Sequence, residues 1–453
     1  MIGNQDTICA LATPNGIGAI GVIRLSGPEA WEITSQLFSK NLRKKLTHTV
    51  HFGTITNLKG ELIDEVLVTL FAEGKSYTGE ESVEISCHGS SFILGKIIAA
   101  IIEAGARMAN PGEFTQRAFL NGKLDLSQAE AVADLIASQS RSAHDIALKQ
   151  LRGNFSSELK ELREKLIHFA SLVELELDFA EEDVEFADRT ELKHLVSDVL
   201  AYIVRMASSF ELGNAIKNGV PVAIVGAPNT GKSTLLNQLL GENRAIVSDI
   251  AGTTRDVIEE TLNIDGILFR LIDTAGIREG AEEIEAMGIE RSKEKIDQAK
   301  IVLCLADASN PNSVTEVQNW SKELSVNHPN KKIGVILNKM DLNTIGSLNE
   351  NEIQISAKEG KNMEDLKTWL VDNVKGNFDM ANETIVSNAR HHEALLKTAE
   401  SLTQAKNGLE TGITADFVAM DIRQAMFYLG SITGDISTDD LLGNIFAKFC
   451  IGK

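Results

Sequence analysis

The chain has 453 residues, 43% hydrophobic and 24% charged, a length that predicts two to four domains and excludes a single compact core. No run approaches about 18 apolar residues, which excludes a membrane-spanning helix, and four scattered cysteines (Cys9, Cys87, Cys304, Cys450) exclude a disulfide framework or a zinc site. With 64 acidic against 44 basic side chains the net charge is −20, which excludes holding nucleic acid by bulk electrostatics; such a contact would need a local basic patch or a partner's surface.

The start, "MIGNQDTICALATPNG", has neither the basic region of a secretory leader nor the arginines of a transit peptide, so the cytoplasm is the expected compartment. Residues 1–120 read as an α+β domain. "AIGVIRLSG" and "EVLVTLF" alternate as strands do, and "SSFILGKIIAAIIEAGA" reads as a helix stopped near Gly105. Gly16, Gly18 and Gly21 satisfy a dinucleotide-binding glycine pattern, but they run into a strand rather than a helix, so a turn between strands is expected. The basic run "KNLRKKLTH" (40–48) reads as a solvated turn. Cys87 and His88 are neighbours on a strand and point to opposite faces, which argues against a nucleophile–base pair.

From residue 121 the texture turns helical. "LSQAEAVADLIASQSRSAHDIALKQLRG" reads as one long helix, with Ser127 as N-cap and Glu130 completing a capping box. "SSELKELREKLIHFASLVELELDF" is a second helix after a Gly-Asn break, "EEDVEFAD" a solvated acidic stretch, and a further helix fills about 190–216. Residues 217–378 alternate strands with helices, as in a doubly wound, mostly parallel α/β domain. Residues 379–453 are helical again. His391 and His392, adjacent and unable to chelate one metal well, are expected at a cap or on an exposed face. Helical stretches on both sides predict one helical domain, 121–216 and 379–453, with the α/β block inserted into it.

The α/β block carries the chemistry. Gly226-Ala-Pro-Asn229-Thr230-Gly231-Lys232-Ser233 fits a phosphate-binding loop, between the strand "VPVAIV" and the helix "KSTLLNQLL". Its glycines let backbone N–H groups face phosphate oxygens, Lys232 reaches the β/γ-phosphates, and the Ser233 hydroxyl suits Mg²⁺. Downstream, Gly252-Thr253-Thr254-Arg-Asp offers Thr254 to the γ-phosphate and Mg²⁺. The strand "ILFRLI" runs into Asp273-Thr274-Ala275-Gly276, where a carboxylate holds the metal through water and the Gly N–H senses the γ-phosphate. "KIGVIL" delivers Asn338-Lys339-Met340-Asp341, whose Asp341 accepts the N1–H and 2-amino group of guanine, donors that adenine lacks. "EIQIS" ends in Ser356-Ala357-Lys358, whose backbone reads the guanine O6. Five elements in order, each at a strand end, predict GTP.

A Ras-like enzyme carries a Gln after DTAG to orient the attacking water, and here the residue is Ile277. An aliphatic side chain cannot do that work. Glu279, Glu282, Glu283 and Glu285 follow, and their spacing alone does not choose among them. No arginine finger is evident, so the developing charge needs another cation.

These motifs, with "PNGIGAIGVIRLSG", "SYTGEESVEISCHG" (76–89), "PGEFTQRAFLNGKLDLSQAEA" (111–131), "DIAGTTRD", "DTAGIRE" and the terminal "FCIGK", resemble the MnmE (TrmE) family of tRNA-modification GTPases along essentially the whole chain. The resemblance implies an N-terminal folate-binding and homodimerising domain, a helical domain, and a G domain inserted in the latter. It implies a flavoprotein partner of the MnmG type, carrying FAD, and a heterotetramer or larger complex. Their joint product is an aminomethyl or 5-carboxymethylaminomethyl group on the wobble uridine of certain tRNAs. A tetrahydrofolate, as the 5-formyl or 5,10-methylene derivative, supplies the one-carbon unit. GTP hydrolysis is implied to depend on K⁺ and on G-domain dimerisation.

The resemblance also assigns residues. Asn229 would ligate K⁺, with Ser248, Ile250 and Thr253 around it; Ser233 and Thr254 would ligate Mg²⁺. Glu285 would orient the water, while Lys232 and Thr254 complete the catalytic set. Thr230, Gly231, Thr234, Asp249 and Ala251 would join the nucleotide-binding residues already named. Arg24, Glu84, Lys123 and Lys453 would contact folate. Ser90 departs from the family, which usually has a second Gly after "HG". A ribosome-assembly GTPase, the alternative, shares the P-loop and "GTTRD" but would carry a basic RNA-binding module not seen in this acidic chain. A dynamin-like GTPase would need an amphipathic basic or membrane segment. The last four residues, Cys450-Ile-Gly-Lys453, mimic a prenylation box but lack its aliphatic third residue and permitted last residue. They are expected instead to wall the folate pocket, with Cys450 either a structural or a reactive thiol.

Overall fold

A computed structural model describes residues 6–42, 45–178, 189–243, 260–272, 294–342, 352–376, 378, 383–411, 413–436, 439–447, 449 and 452. The chain divides into two compact units, one of Met1–Ala133, Gln150–Lys165 and Met426–Lys453, the other of Asp134–Lys149 and Leu166–Ala425.

In the first unit, β1 (Ile8–Leu11), β2 (Ile20–Ser26), β3 (Thr49–Thr56), β4 (Leu62–Phe71), β5 (Ser82–His88) and β6 (Arg107–Met108) form a sheet of order β3-β4-β5-β2-β1-β6. Its pairs are antiparallel except β1–β6. Alternation places Ile23, Leu25, Val68 and Ile85 on one face, where α1 (Ala30–Leu37) and α2 (Ser91–Glu103) supply Ile33, Ile97 and Ile101 to the same core. The other face carries Val22, Arg24, Glu84 and Ser86, with Val50, Phe52 and Leu67 about half exposed. The glycine pattern runs into β2, as its alternation predicts. Gly89 lies against its backbone: a Cβ there would stand 2.4 Å from the Gly18 carbonyl oxygen. Cys87 is buried and His88 exposed, on opposite faces as expected.

After α3 (Glu113–Leu120), the single long helix expected from "LSQAEA…" is two, α4 (Leu126–Ala137) and α5 (Arg141–Leu151). The Ser138 hydroxyl turns back onto the Leu135 carbonyl, and the Ser140 hydroxyl accepts the Ala143 N–H, so serines end one helix and cap the next. The capping box also moves. Asp125 Oδ1 accepts the Gln128 N–H (2.9 Å) and Gln128 Oε1 accepts the Asp125 N–H (2.9 Å), leaving Ser127 inside the helix. α6 (Asn154–Asp178) follows. The helix expected over 190–216 is likewise two, α7 (Arg189–Ser208) and α8 (Phe210–Asn218); at the break the Ser209 hydroxyl accepts the Val386 N–H at 2.9 Å. The acidic run 181–188 lies outside the described residues.

In the second unit β7 (Val220–Gly226), β8 (Glu260–Ile264), β9 (Ile267–Leu271), β10 (Ile301–Asp307), β11 (Lys332–Asn338) and β12 (Glu352–Gln354) form a sheet of order β12-β11-β10-β7-β9-β8. Every pair is parallel except the β8–β9 hairpin, turned by Asp265 and Gly266 at φ 50° and 81°. Buried residues line both faces. α9 (Lys232–Asn243) gives Leu235, Leu236 and Leu239 to one core, as α11 (Met363–Lys375) gives Leu366 and Leu370; α10 (Pro311–Asn327) gives Val314, Val317 and Leu324 to the other. Three helices follow along the chain, α12 (Ala389–Thr411), α13 (Ala415–Thr433) and α14 (Asp439–Phe446), the chain from Met426 on belonging to the first unit. α12 packs on α7. Its His391 is buried rather than capping or exposed, and His392 stacks on Phe210 with ring centroids 4.3 Å apart.

Candidate functional site

The P-loop leaves the carboxyl end of β7, and the chain re-enters a helix at Lys232. Asn229, at φ 66°, holds the exposed crest of the loop. Thr230 is buried beneath it and donates through Oγ1 to the Ala227 carbonyl at 2.9 Å. Lys232 donates to the Gly226 and Ala227 carbonyls at 2.9 and 2.8 Å, and burial with the like charge of Lys295 holds its ammonium below the usual lysine range. Ser233 and Thr234 are exposed on the first turn of α9.

Asn338 connects three separate strand ends. Buried at the end of β11, it donates through Nδ2 to the Thr230 carbonyl (2.9 Å) and accepts through Oδ1 the N–H of Ala357 (3.0 Å). The loop glycine is fitted to it: Gly231 lies at φ 97°, and a Cβ there would fall 2.3 Å from Asn338 Nδ2. Lys339, also left-handed at φ 67°, reaches Asp307 at 2.6 Å. Asp341 is exposed, and its Oδ1 accepts the hydroxyl of buried Ser356 at 2.6 Å; that bond holds its carboxyl below the usual range. Lys358 is exposed beyond them. An exposed carboxylate kept charged is what an N1–H and a 2-amino group require.

In the N-terminal sheet, Arg24 and Glu84 are register partners, and Glu84 Oε1 accepts Nε (3.0 Å) and Nη2 (2.7 Å) of Arg24. The guanidinium lies 5.8 Å from the Tyr77 ring and 5.9 Å from the Phe114 ring. Lys123 reaches the Gly74 carbonyl at 2.6 Å, at the loop that also carries Tyr77. Nearby, fully buried Arg117 binds Asp6, Glu80 and Glu113, while Arg107 clasps Glu113 and Asp6. Gly452 is held tightly, since a Cβ there would meet the Leu11 carbonyl oxygen at 2.2 Å. Burial pushes Cys9 and Cys87 up to about 11 and Cys304 up to about 12, so these thiols stay protonated and behave as core residues.

Residues 7–123 match the family described as GTP-binding protein TrmE N-terminus, and residues 126–450 match the MnmE helical domain. The tRNA modification GTPase MnmE of Cytophaga hutchinsonii is 53% identical, covering 99% of this chain and 98% of its own. This chain belongs to the MnmE family of tRNA modification GTPases. The proteins of that name from Flavobacterium johnsoniae and Bacteroides thetaiotaomicron are each 52% identical, covering 99% of this chain and 100% of their own. Among solved structures, Aquifex aeolicus Era bound to GDP.AlF4- is 28% identical, covering 40% of this chain and 66% of that one, with a TM-score of 0.25.

Within this MnmE-family chain, Asn229–Thr234, Asn338, Lys339, Asp341 and Ser356–Lys358 all gather at the carboxyl ends of β7, β11 and β12, the crevice where open α/β sheets bind ligands. Ser248, Asp249, Ile250, Ala251, Gly252, Thr253, Thr254, Asp273, Thr274, Ala275, Gly276, Glu279, Glu282, Glu283, Glu285, Cys450 and Lys453 lie outside the described residues. Of the Ser356–Lys358 backbone, expected to read the guanine O6, the Ala357 amide is engaged by Asn338. Ser90 directly precedes α2 and makes no side-chain cap bond there. Sequence reasoning missed Asp307, whose one signal is an aspartate closing the buried strand "IVLCLA".

Proposed function

We propose that this chain is a K⁺-dependent GTPase that acts with an FAD flavoprotein of the MnmG type. Together they form the aminomethyl or 5-carboxymethylaminomethyl group on the wobble uridine of certain tRNAs, drawing on a tetrahydrofolate one-carbon unit. GTP hydrolysis in the service of tRNA modification follows from membership of the family. The observation that carries the nucleotide reading is Asn338, which ties the P-loop to the Ser356–Lys358 segment, whose Ser356 holds the exposed carboxylate of Asp341.

Asp341 reads the guanine edge, and the Asn229–Ser233 amides take the phosphates. Lys232 exchanges its two carbonyl partners for phosphate oxygens. The Asn229 side chain and the Ser233 hydroxyl are hard oxygen donors of the kind K⁺ and Mg²⁺ accept. Those ions would supply the positive charge that an arginine finger supplies elsewhere. Glu285 orients the water in place of Gln, since Ile277 cannot. Arg24, Glu84, Lys123 and Lys453 form the folate site; a guanidinium beside the rings of Tyr77 and Phe114 suits a flat, anionic ligand. Residues 1–120 dimerise, and the apolar outer sheet face with Val50, Phe52 and Leu67 supports that reading. Residues 217–378 form the G domain, inserted in a helical domain of 121–216 and 379–453.

Mass spectrometry of tRNA nucleosides from a strain lacking this chain tests the reading. The modified wobble uridine is expected to disappear, to return with the unaltered chain, and not to return with Asp341→Asn; unchanged wobble uridines overturn it. GTP hydrolysis is expected to run faster in K⁺ than in Na⁺, and equal rates remove the K⁺ dependence.

A further inference from the structure

Asp307 stands outside every motif discussed above, yet its carboxylate is fixed from two sides. Oδ1 accepts the backbone N–H of Ser309 at 2.9 Å and its hydroxyl at 2.6 Å. Oδ2 accepts the Lys339 ammonium at 2.6 Å. The pair is partly buried, with 19% of the Asp307 side chain and 31% of the Lys339 side chain exposed. Asp307 and Asn338 are also register partners where β10 and β11 end, and the Ala308 N–H donates to the Asn338 carbonyl at 2.8 Å. The arm of Lys339 therefore starts at the end of β11 in a left-handed backbone and is drawn back across the end of β10.

Two residues on, Asp341 presents its carboxylate, held by Ser356. A purine edge on Asp341 would bring its ring to the methylene stem of Lys339. That stem is a usable flat wall only if its charged tip is anchored, because a free lysine arm samples many rotamers and keeps its ammonium in water. We propose that Asp307 is a positioning residue of the nucleotide site: by pinning the Lys339 ammonium it orients the apolar stem of Lys339 as the wall for the purine ring. The proposal rests on the guanine-nucleotide reading above.

The test uses the full chain and titrates fluorescent GDP, then measures steady-state GTP hydrolysis. Asp307→Ala and the isosteric Asp307→Asn are expected to weaken GDP affinity about tenfold, equivalent to about 1.4 kcal/mol. The loss falls on KM, with kcat kept, because the pinned lysine acts on the base and not on the γ-phosphate. Asp307→Glu, which keeps the charge, is expected to restore most of the affinity. ITP, which lacks the 2-amino group, is expected to lose the same factor as GTP, since a stem against the ring face does not read the edge. Unchanged GDP affinity in both Asp307→Ala and Asp307→Asn overturns the proposal. So does a loss shared equally by kcat, or a failure of Asp307→Glu to rescue when its thermal midpoint without nucleotide matches the unaltered chain. Asp341→Asn separates the underlying reading: it is expected to lose GTP and gain xanthosine triphosphate. Failure of that exchange strikes the guanine assignment, whereas failure of the Asp307 variants alone strikes only the positioning role.

Discussion

The two six-stranded sheets solve different problems with nearly equal numbers of residues. The parallel sheet is buried on both faces, so β10 reads as an unbroken apolar run and leaves no face for chemistry. Its candidate nucleotide-binding groups fall at the carboxyl ends of the strands, where Asn338 closes β11 and Lys339 and Asp341 follow within three residues. The antiparallel sheet buries one face only, so β2 alternates and its open face can carry Arg24 opposite Glu84. The candidate residues lie at the ends of one sheet and on a face of the other. In both, the position of the candidate residues follows from which faces the helices cover.

The sharpest way to break the strand-end side of this comparison is Gly231→Ala. The new methyl would collide with Asn338 Nδ2, which is buried and bonded at both ends of its amide and has no room to give. Nucleotide affinity is expected to fall by about a hundredfold or more, read by titration of fluorescent GDP. A fall under threefold would show that Asn338 does not wire the crevice.

The face side is sharpened by Glu113→Gln. Glu113 is held below the usual carboxylate range: burial acts to raise it, but Arg107, the Asn110 amide and Arg117 together outweigh that. Removing its charge leaves fully buried Arg117 undercompensated, at a cost of about 3 kcal/mol near neutral pH, measured by urea unfolding. Because its folded pKa is lowered, the stabilisation from Glu113 is present above the ordinary carboxylate value and lost as pH falls through the lower folded one. The gap between Glu113→Gln and the unaltered chain is therefore expected to narrow below about pH 4. A gap independent of pH would remove the ionic account.

The smallest effect belongs to Ser356→Ala, which frees the Asp341 carboxylate without removing it. Loss of one hydrogen bond to a charged group predicts a GTP affinity about ten times weaker at most, with poorer discrimination against ITP. Unaltered discrimination would show that Asp341 keeps its aim unaided.

The sequence made the strand ends legible because the P-loop and the Asn-Lys-Met-Asp run each need particular residue types at fixed spacing. The same holds for β2 and β4, whose alternation declares one buried face. The helical breaks were not legible. Ser138, Ser140 and Ser209 look ordinary within an apolar periodicity, and each acts through a hydroxyl whose choice of partner is not written in the local pattern. The capping box was read two residues late because Asp125 and Gln128 satisfy the same geometry as Ser127 and Glu130.

By itself, then, the sequence determined the motifs, the strands that carry them and the family, since these depend on residue identity and short-range spacing. Only the tertiary structure decided that Asn338 joins Thr230 to Ala357, that Asp307 holds Lys339, and that Arg117 is buried among three carboxylates. Apart from Glu113, one helical turn from Arg117, those partners are separated by 19 to 111 residues along the chain, and no local periodicity brings them together. Sheet order and the burial of whole faces do.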